Sequence, residues 1–156
     1  MQTLNVNAGQ TEQEYKAAEE QRRTDLLAEG KSDAIFFFAA AVLAALGTGL
    51  LPIRLNFLVS IGLIDLLRFY GRGLGERYAD TVNGAALAWV LVLVTLGFSA
   101  REGRRWAFLC GVALYAVDML ALVATFSIWA FGVHAFFVYK WFEGQKNLKD
   151  ACQSGT

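Results

Sequence analysis

Apolar and polar residues fall in long blocks along this chain rather than alternating position by position. Residues 1–33 are mostly polar. Five apolar runs follow: Ala34–Leu51, Ile53–Tyr70, Thr81–Ala100, Trp106–Thr125 and Phe126–Phe142. Most of them approach the ~20 residues that carry a helix across a bilayer, and the fifth is shorter and dense in aromatic rings. The links are short: Pro52, Gly71–Asp80, Arg101–Arg105 and a tight turn near Thr125–Ser127. Short links make consecutive helices antiparallel neighbours. A barrel is excluded, because its strands would read as alternating segments. The pattern predicts an all-α integral membrane bundle of five transmembrane helices, or four if one run stops short, behind a polar N-terminal helix.

That first helix has its own signals. Thr11 and Glu14 fit a capping box, residues 1–10 read as a loose terminus, and Gly30 is a plausible stop. Its apolar positions, Tyr15, Ala18, Leu26 and Leu27, form only a thin stripe. The expectation is a solvated helix leading into the membrane, with a partner-binding or interfacial role as the alternative. No signal-peptide pattern precedes Ala34, so the first apolar run is expected to be an uncleaved anchor. The chain divides into a polar helix and tail (1–30), a transmembrane helical domain (31–145) and a polar C-terminal tail (146–156).

Composition agrees with a membrane setting. Hydrophobic residues make up 56% of the chain and mean hydropathy is +0.40, above the ~45–50% apolar usage of soluble domains. The 14 basic and 14 acidic residues cancel, so no basic surface points to nucleic acid. Cys110 and Cys152 lie in different settings, no disulfide between them is expected, and no Cys/His metal spacing exists.

Charge does not fix the orientation of a five-span chain. The N-terminal side would hold Lys16, Arg22, Arg23, Lys31, Arg68, Arg72 and Arg77. The other side would hold Arg54, Arg101, Arg104, Arg105, Lys140, Lys146 and Lys149, an even split under the positive-inside rule. Two readings break the tie. Either the second or fifth run fails to span, which gives four crossings with both termini on one side, or the chain inserts both ways.

The sharpest chemical signal is Asp118 with His134. They stand at equal distances before and after Phe126, about 12 Å from the hairpin turn at helical rise. Antiparallel helices would bring them to one depth, with Tyr115 one turn from Asp118 and within hydrogen-bond reach. An ionisable group inside a bilayer is a functional-site candidate by default. The pair could relay a proton, or it could hold two helices together as polar glue. As a metal site it has too few ligands unless other groups contribute.

Arg54, Asp65, Arg68 and Arg72 share one face of the second run, where Asp65 and Arg68 can pair at i,i+3. Small residues repeat every four positions at Ala41, Ala45 and Gly49, at Gly84 and Ala88, and at Ala107 and Gly111, which allows close helix approach. The Gly71–Gly75 run has three glycines, but no strand precedes it and it matches no phosphate-loop pattern. No catalytic constellation is found, and no cofactor is implied.

The stretch Ala100–Phe108, followed by Gly111, Tyr115, Asp118 and then His134, resembles small bacterial membrane proteins. In those, a basic loop enters a helix through Arg-Trp-Ala-Phe and an apolar hairpin carries an Asp and then a His. The span from Arg22 to Leu74 is similar to a two-helix module of other bacterial membrane proteins. The resemblance implies a multi-pass protein of the bacterial inner membrane and brings no activity with it. The expected function is a non-enzymatic accessory or assembly component, with the bilayer as its surroundings. A homo-oligomer or a larger membrane complex would form through the small-residue faces or the N-terminal helix. The alternative is a small oligomeric proton- or ion-coupled transporter or channel using Asp118 and His134, with Asp65 and Arg68 lining a polar path. A membrane enzyme acting on lipid or quinone is a third reading, and it would need a pocket open to the bilayer beside His134.

Overall fold

The computed structural model describes residues 4–47, 61–71, 75–125 and 128–153. Every element among them is an α-helix: α1 (Leu4–Ser32), α2 (Ile35–Gly47), α3 (Gly62–Tyr70), α4 (Glu76–Arg101), α5 (Arg105–Thr125) and α6 (Ile128–Gln153). Three stretches, Glu12–Gly47, Tyr78–Arg101 and Arg105–Val123, are long and apolar enough to cross a membrane. The outer surface is also that of a membrane protein. Leu120, Ile128 and Trp129 are 73%, 84% and 76% exposed, and an apolar belt of this kind is stable against lipid rather than water.

α1 departs from its sequence signals at both ends. It begins at Leu4, so Thr11 lies inside the helix and is not its cap. Exposed i,i+4 contacts such as Lys16–Glu12 at 2.7 Å and Gln21–Asp25 at 2.9 Å support its polar surface. Gly30 does not end the helix, which continues to Ser32 and breaks at Asp33–Ala34. Its lack of a side chain serves packing instead. A Cβ on Gly30 would lie 2.8 Å from Leu148 Cδ2 and 3.3 Å from the Gly144 carbonyl, so α1 and α6 meet here almost backbone to backbone. α6 runs through position 145 without interruption to Gln153, and Leu148 and Ala151 are buried against the last turns of α1.

α2 and α4 pack antiparallel. Phe38 meets Phe98 edge to face at 5.2 Å, and Gly97 receives the rings of Phe37 and Phe38. The aromatic centre of the core lies between α2, α5 and α6, where Phe37 stacks on Trp141 at 4.2 Å and 11° and tilts against Phe108 at 5.6 Å. Gly111 leaves the room for this, since a Cβ there would reach 2.5 Å from Phe37 Cε1. Of the expected small-residue faces, Ala107 and Gly111 are spent on this interior packing. Gly84 and Ala88 stay exposed, with open space beside Gly84, and Gly49 lies outside the described residues.

The tight turn near Phe126 is bounded by the end of α5 at Thr125 and the start of α6 at Ile128. The second apolar run is described only from Ile61. Its helix, α3, ends at Tyr70 and is about 13 Å long at helical rise, too short to span alone. Tyr78 donates its hydroxyl to the Leu67 carbonyl at 2.8 Å, and its ring packs over Gly71, which fixes the end of α3 to the start of α4.

Candidate functional site

An isolated carboxylate in an apolar helix is unstable unless its oxygens find donors. Asp118, on α5, is fully buried, and it finds them at the start of α3. Leu63 N–H donates to Oδ1 at 2.8 Å and Gly62 N–H donates to Oδ2 at 3.0 Å. These are first-turn amides, which have no partner inside their own helix. Asp65 N–H makes the first internal bond, to Ile61 O at 2.9 Å. The neighbouring backbone at Ile61 is extended and supplies no side-chain cap of its own. The carboxylate of one helix thus caps another, and it sits at the positive end of that helix's dipole.

The approach depends on Gly62. A Cβ there would stand 2.7 Å from the Asp118 carbonyl and 2.7 Å from the Leu122 amide. Both are backbone atoms of α5, so neither can swing aside.

His134, on α6, completes the arrangement. Its Nε2 lies 2.7 Å from Asp118 Oδ2, and the residue is 3% exposed. Oδ2 is off the direction of the ring N–H, so the contact is a close ion pair rather than an aligned hydrogen bond. Nδ1 lies 2.8 Å from the Ala130 carbonyl, one turn back on α6. A carbonyl only accepts, so Nδ1 carries a proton. The 2.7 Å approach of Nε2 to Oδ2 is too close for two facing lone pairs, so one of the two groups carries a proton.

Aromatic rings seal it. Tyr115 stacks on the imidazole at 4.5 Å and 28°, and Trp141 meets Tyr115 edge on at 4.7 Å. The sequence placed Tyr115 beside Asp118 as a hydrogen-bond partner; it joins through its ring, against His134, instead.

The expected site residues thus form two groups. Asp118, His134 and Tyr115 meet. Asp65 and Arg68 pair with each other on α3 at 3.9 Å, each about one-third exposed, which is a weak, partly solvated contact. Arg68 also lines a cavity of about 570 Å3 with Gly71, Tyr78 and Asn83. Arg54 and Arg72 lie outside the described residues. Among the described residues no third His, Cys, Asp or Glu joins the pair to make a metal-binding group.

Sequence reasoning missed the backbone half of the site, the Gly62 and Leu63 amides. Only Gly62 in an otherwise bulky run hinted at a close approach. It also missed Trp89 and Trp141, whose indole nitrogens are buried beside Tyr115 without a hydrogen-bond partner. No known protein family, curated protein or solved structure matches this chain.

Proposed function

We propose that this protein is a small, non-enzymatic accessory or assembly component of a membrane complex, in which Asp118 and His134 clasp three helices together. The observation that carries the reading is that Asp118 is fully enclosed and its oxygens are already engaged by two amides and an imidazole. A relay or transport group needs a route to water. Arg68, on the cavity wall, is solvated, whereas the pair is sealed by Tyr115, Leu122 and the α3 backbone.

The helix arrangement supports four crossings, by α2, α4, α5 and α6, with α3 as a short non-spanning helix whose start is buried on α5. In that topology α1, the α4–α5 turn and the end of α6 share one face. Ten of the fourteen basic residues then lie there, and Arg54, Arg68, Arg72 and Arg77 fall in sequence between the first apolar run and the third. The positive-inside rule makes the ten-residue face cytoplasmic. The resemblance noted in the sequence supports the bacterial inner membrane as its location.

α1 supplies the means of association. Residues 12–25 are exposed on every side, and a helix polar all round commonly bridges to something else.

The experiment is proton and cation flux into liposomes holding the purified protein, paired with photocrosslinking from Tyr15 on α1 in intact membranes. The reading expects no flux above empty liposomes and a discrete crosslinked partner. Flux lost in His134→Ala would overturn it in favour of transport.

A further inference from the structure

The basic end of the bundle contains a second site. A cavity of about 230 Å3 is lined by Lys31 and Ser32 from the end of α1, Ile35 and Phe38 from α2, and Arg101 from the end of α4. Sequence alone, read as five spans, put Lys31 and Arg101 on opposite faces of the membrane; they share one cavity wall.

Neither cation has a carboxylate within ion-pair distance among the described residues. The acids nearest in sequence do not line the cavity. Glu102 is held by Arg104 at 2.9 Å. Asp33 is buried on the α6 side, where its Cβ lies 3.0 Å from the place a Gly144 side chain would start. Lys31 is held over the α4–α5 turn, with its Cε 3.5 Å from the position a Cβ on Gly103 would take, and Gly103 itself has a φ of 81°. Two positive charges and a hydroxyl converge on one space with no anion of the chain's own.

The cavity is polar on one side and apolar on the other, in a fixed order. Lys31, Ser32 and Arg101 stand where the polar segments end. Ile35 and Phe38 follow one and two turns into the apolar run, and Ile35 is 63% exposed. Trp106, half-exposed at the same end, marks the depth of the membrane interface. A phosphate at the charged level with a hydrocarbon chain running along Ile35 and Phe38 satisfies both halves. Basic pockets between membrane helices take lipid head groups by this chemistry.

We propose that Lys31, Ser32 and Arg101 bind the phosphate of an anionic phospholipid, with its acyl chain along Ile35 and Phe38. A free phosphate would use the same cations but gain nothing from the apolar wall.

The test is native mass spectrometry of the full-length protein in neutral detergent, titrated with dioctanoyl phosphatidylglycerol, dioctanoyl phosphatidylcholine or inorganic phosphate. Retention of one phosphatidylglycerol is expected, with weaker binding of the other two. Lys31→Gln and Arg101→Gln should each weaken it about fivefold, the attraction of one basic side chain for an anionic lipid surface. Arg101→Lys should keep most of the affinity, and Lys149→Gln, exposed on α6 and off the cavity, should keep all of it. Should a glutamine variant fail to fold, high salt added to the wild type must still weaken phosphatidylglycerol binding selectively. Equal binding of phosphatidylcholine, equal binding of inorganic phosphate, or full affinity in both glutamine variants would overturn the proposal.

Discussion

Gly62 donates its backbone N–H to Asp118 Oδ2 at 3.0 Å across 56 positions of sequence, joining the start of α3 to the middle of α5. A buried carboxylate and a buried helix start are each costly alone, and each removes the other's cost. His134 then balances the charge. The stability of this corner should therefore respond to changes in any of the three residues.

Asp118→Asn keeps the shape but removes the carboxylate that holds two amides and the His134 ring. Breaking a buried charged pair costs ~3–5 kcal/mol in soluble proteins, while contacts between membrane helices average nearer ~1 kcal/mol. A loss between these limits is expected in thermal unfolding of the detergent-solubilised protein. Unchanged stability would mean that the pair does not hold the bundle.

The same reasoning makes Asp118 and His134 interdependent. Once Asp118 is neutral, replacing His134 with Gln should cost less than it does in the wild type. A double-mutant cycle on unfolding free energies is expected to give a coupling on the order of 1 kcal/mol. Additive effects would count against the contact.

Glycine positions offer a sharper contrast. Gly62→Ala drives a methyl group against backbone atoms 2.7 Å away and should displace α3. Gly84→Ala meets nothing within 4 Å, and it should be neutral or stabilising by up to ~1 kcal/mol, because alanine is the better helix former. Thermal midpoints of the two variants, measured side by side, check the close approach without touching any charge.

Phe37→Ala should remove the centre of the aromatic core, where the ring stacks on Trp141 and fills the space left by Gly111. Truncating a buried Phe costs ~3–5 kcal/mol in soluble cores. The near-ultraviolet circular dichroism of the tryptophans should report the loss directly.

Much of the fold could be read from block hydropathy. Apolar runs and short links predict helices, and α5 ends and α6 starts on either side of Phe126, the position from which Asp118 and His134 are equidistant. What the runs could not show is where a helix begins within one of them. Ile53–Tyr70 is as long as Ala34–Leu51, and only three-dimensional contacts reveal that Gly62 and Leu63 start a helix on Asp118. Backbone amides have no sequence signature, so half of the clasp was invisible. Gly30 misled for a related reason: a glycine that ends a helix and one that lets two helices touch look alike in sequence.

Amide hydrogen exchange along α3, compared between the wild type and Asp118→Asn, tests the clasp most directly. Gly62 and Leu63 are expected to exchange slowly in the wild type, although they are first-turn amides with no partner in their own helix. In the variant they should exchange much faster, with α4 unchanged. Fast exchange at both amides in the wild type, or equal protection in the variant, would contradict the assignment of Asp118 as the group that holds α3.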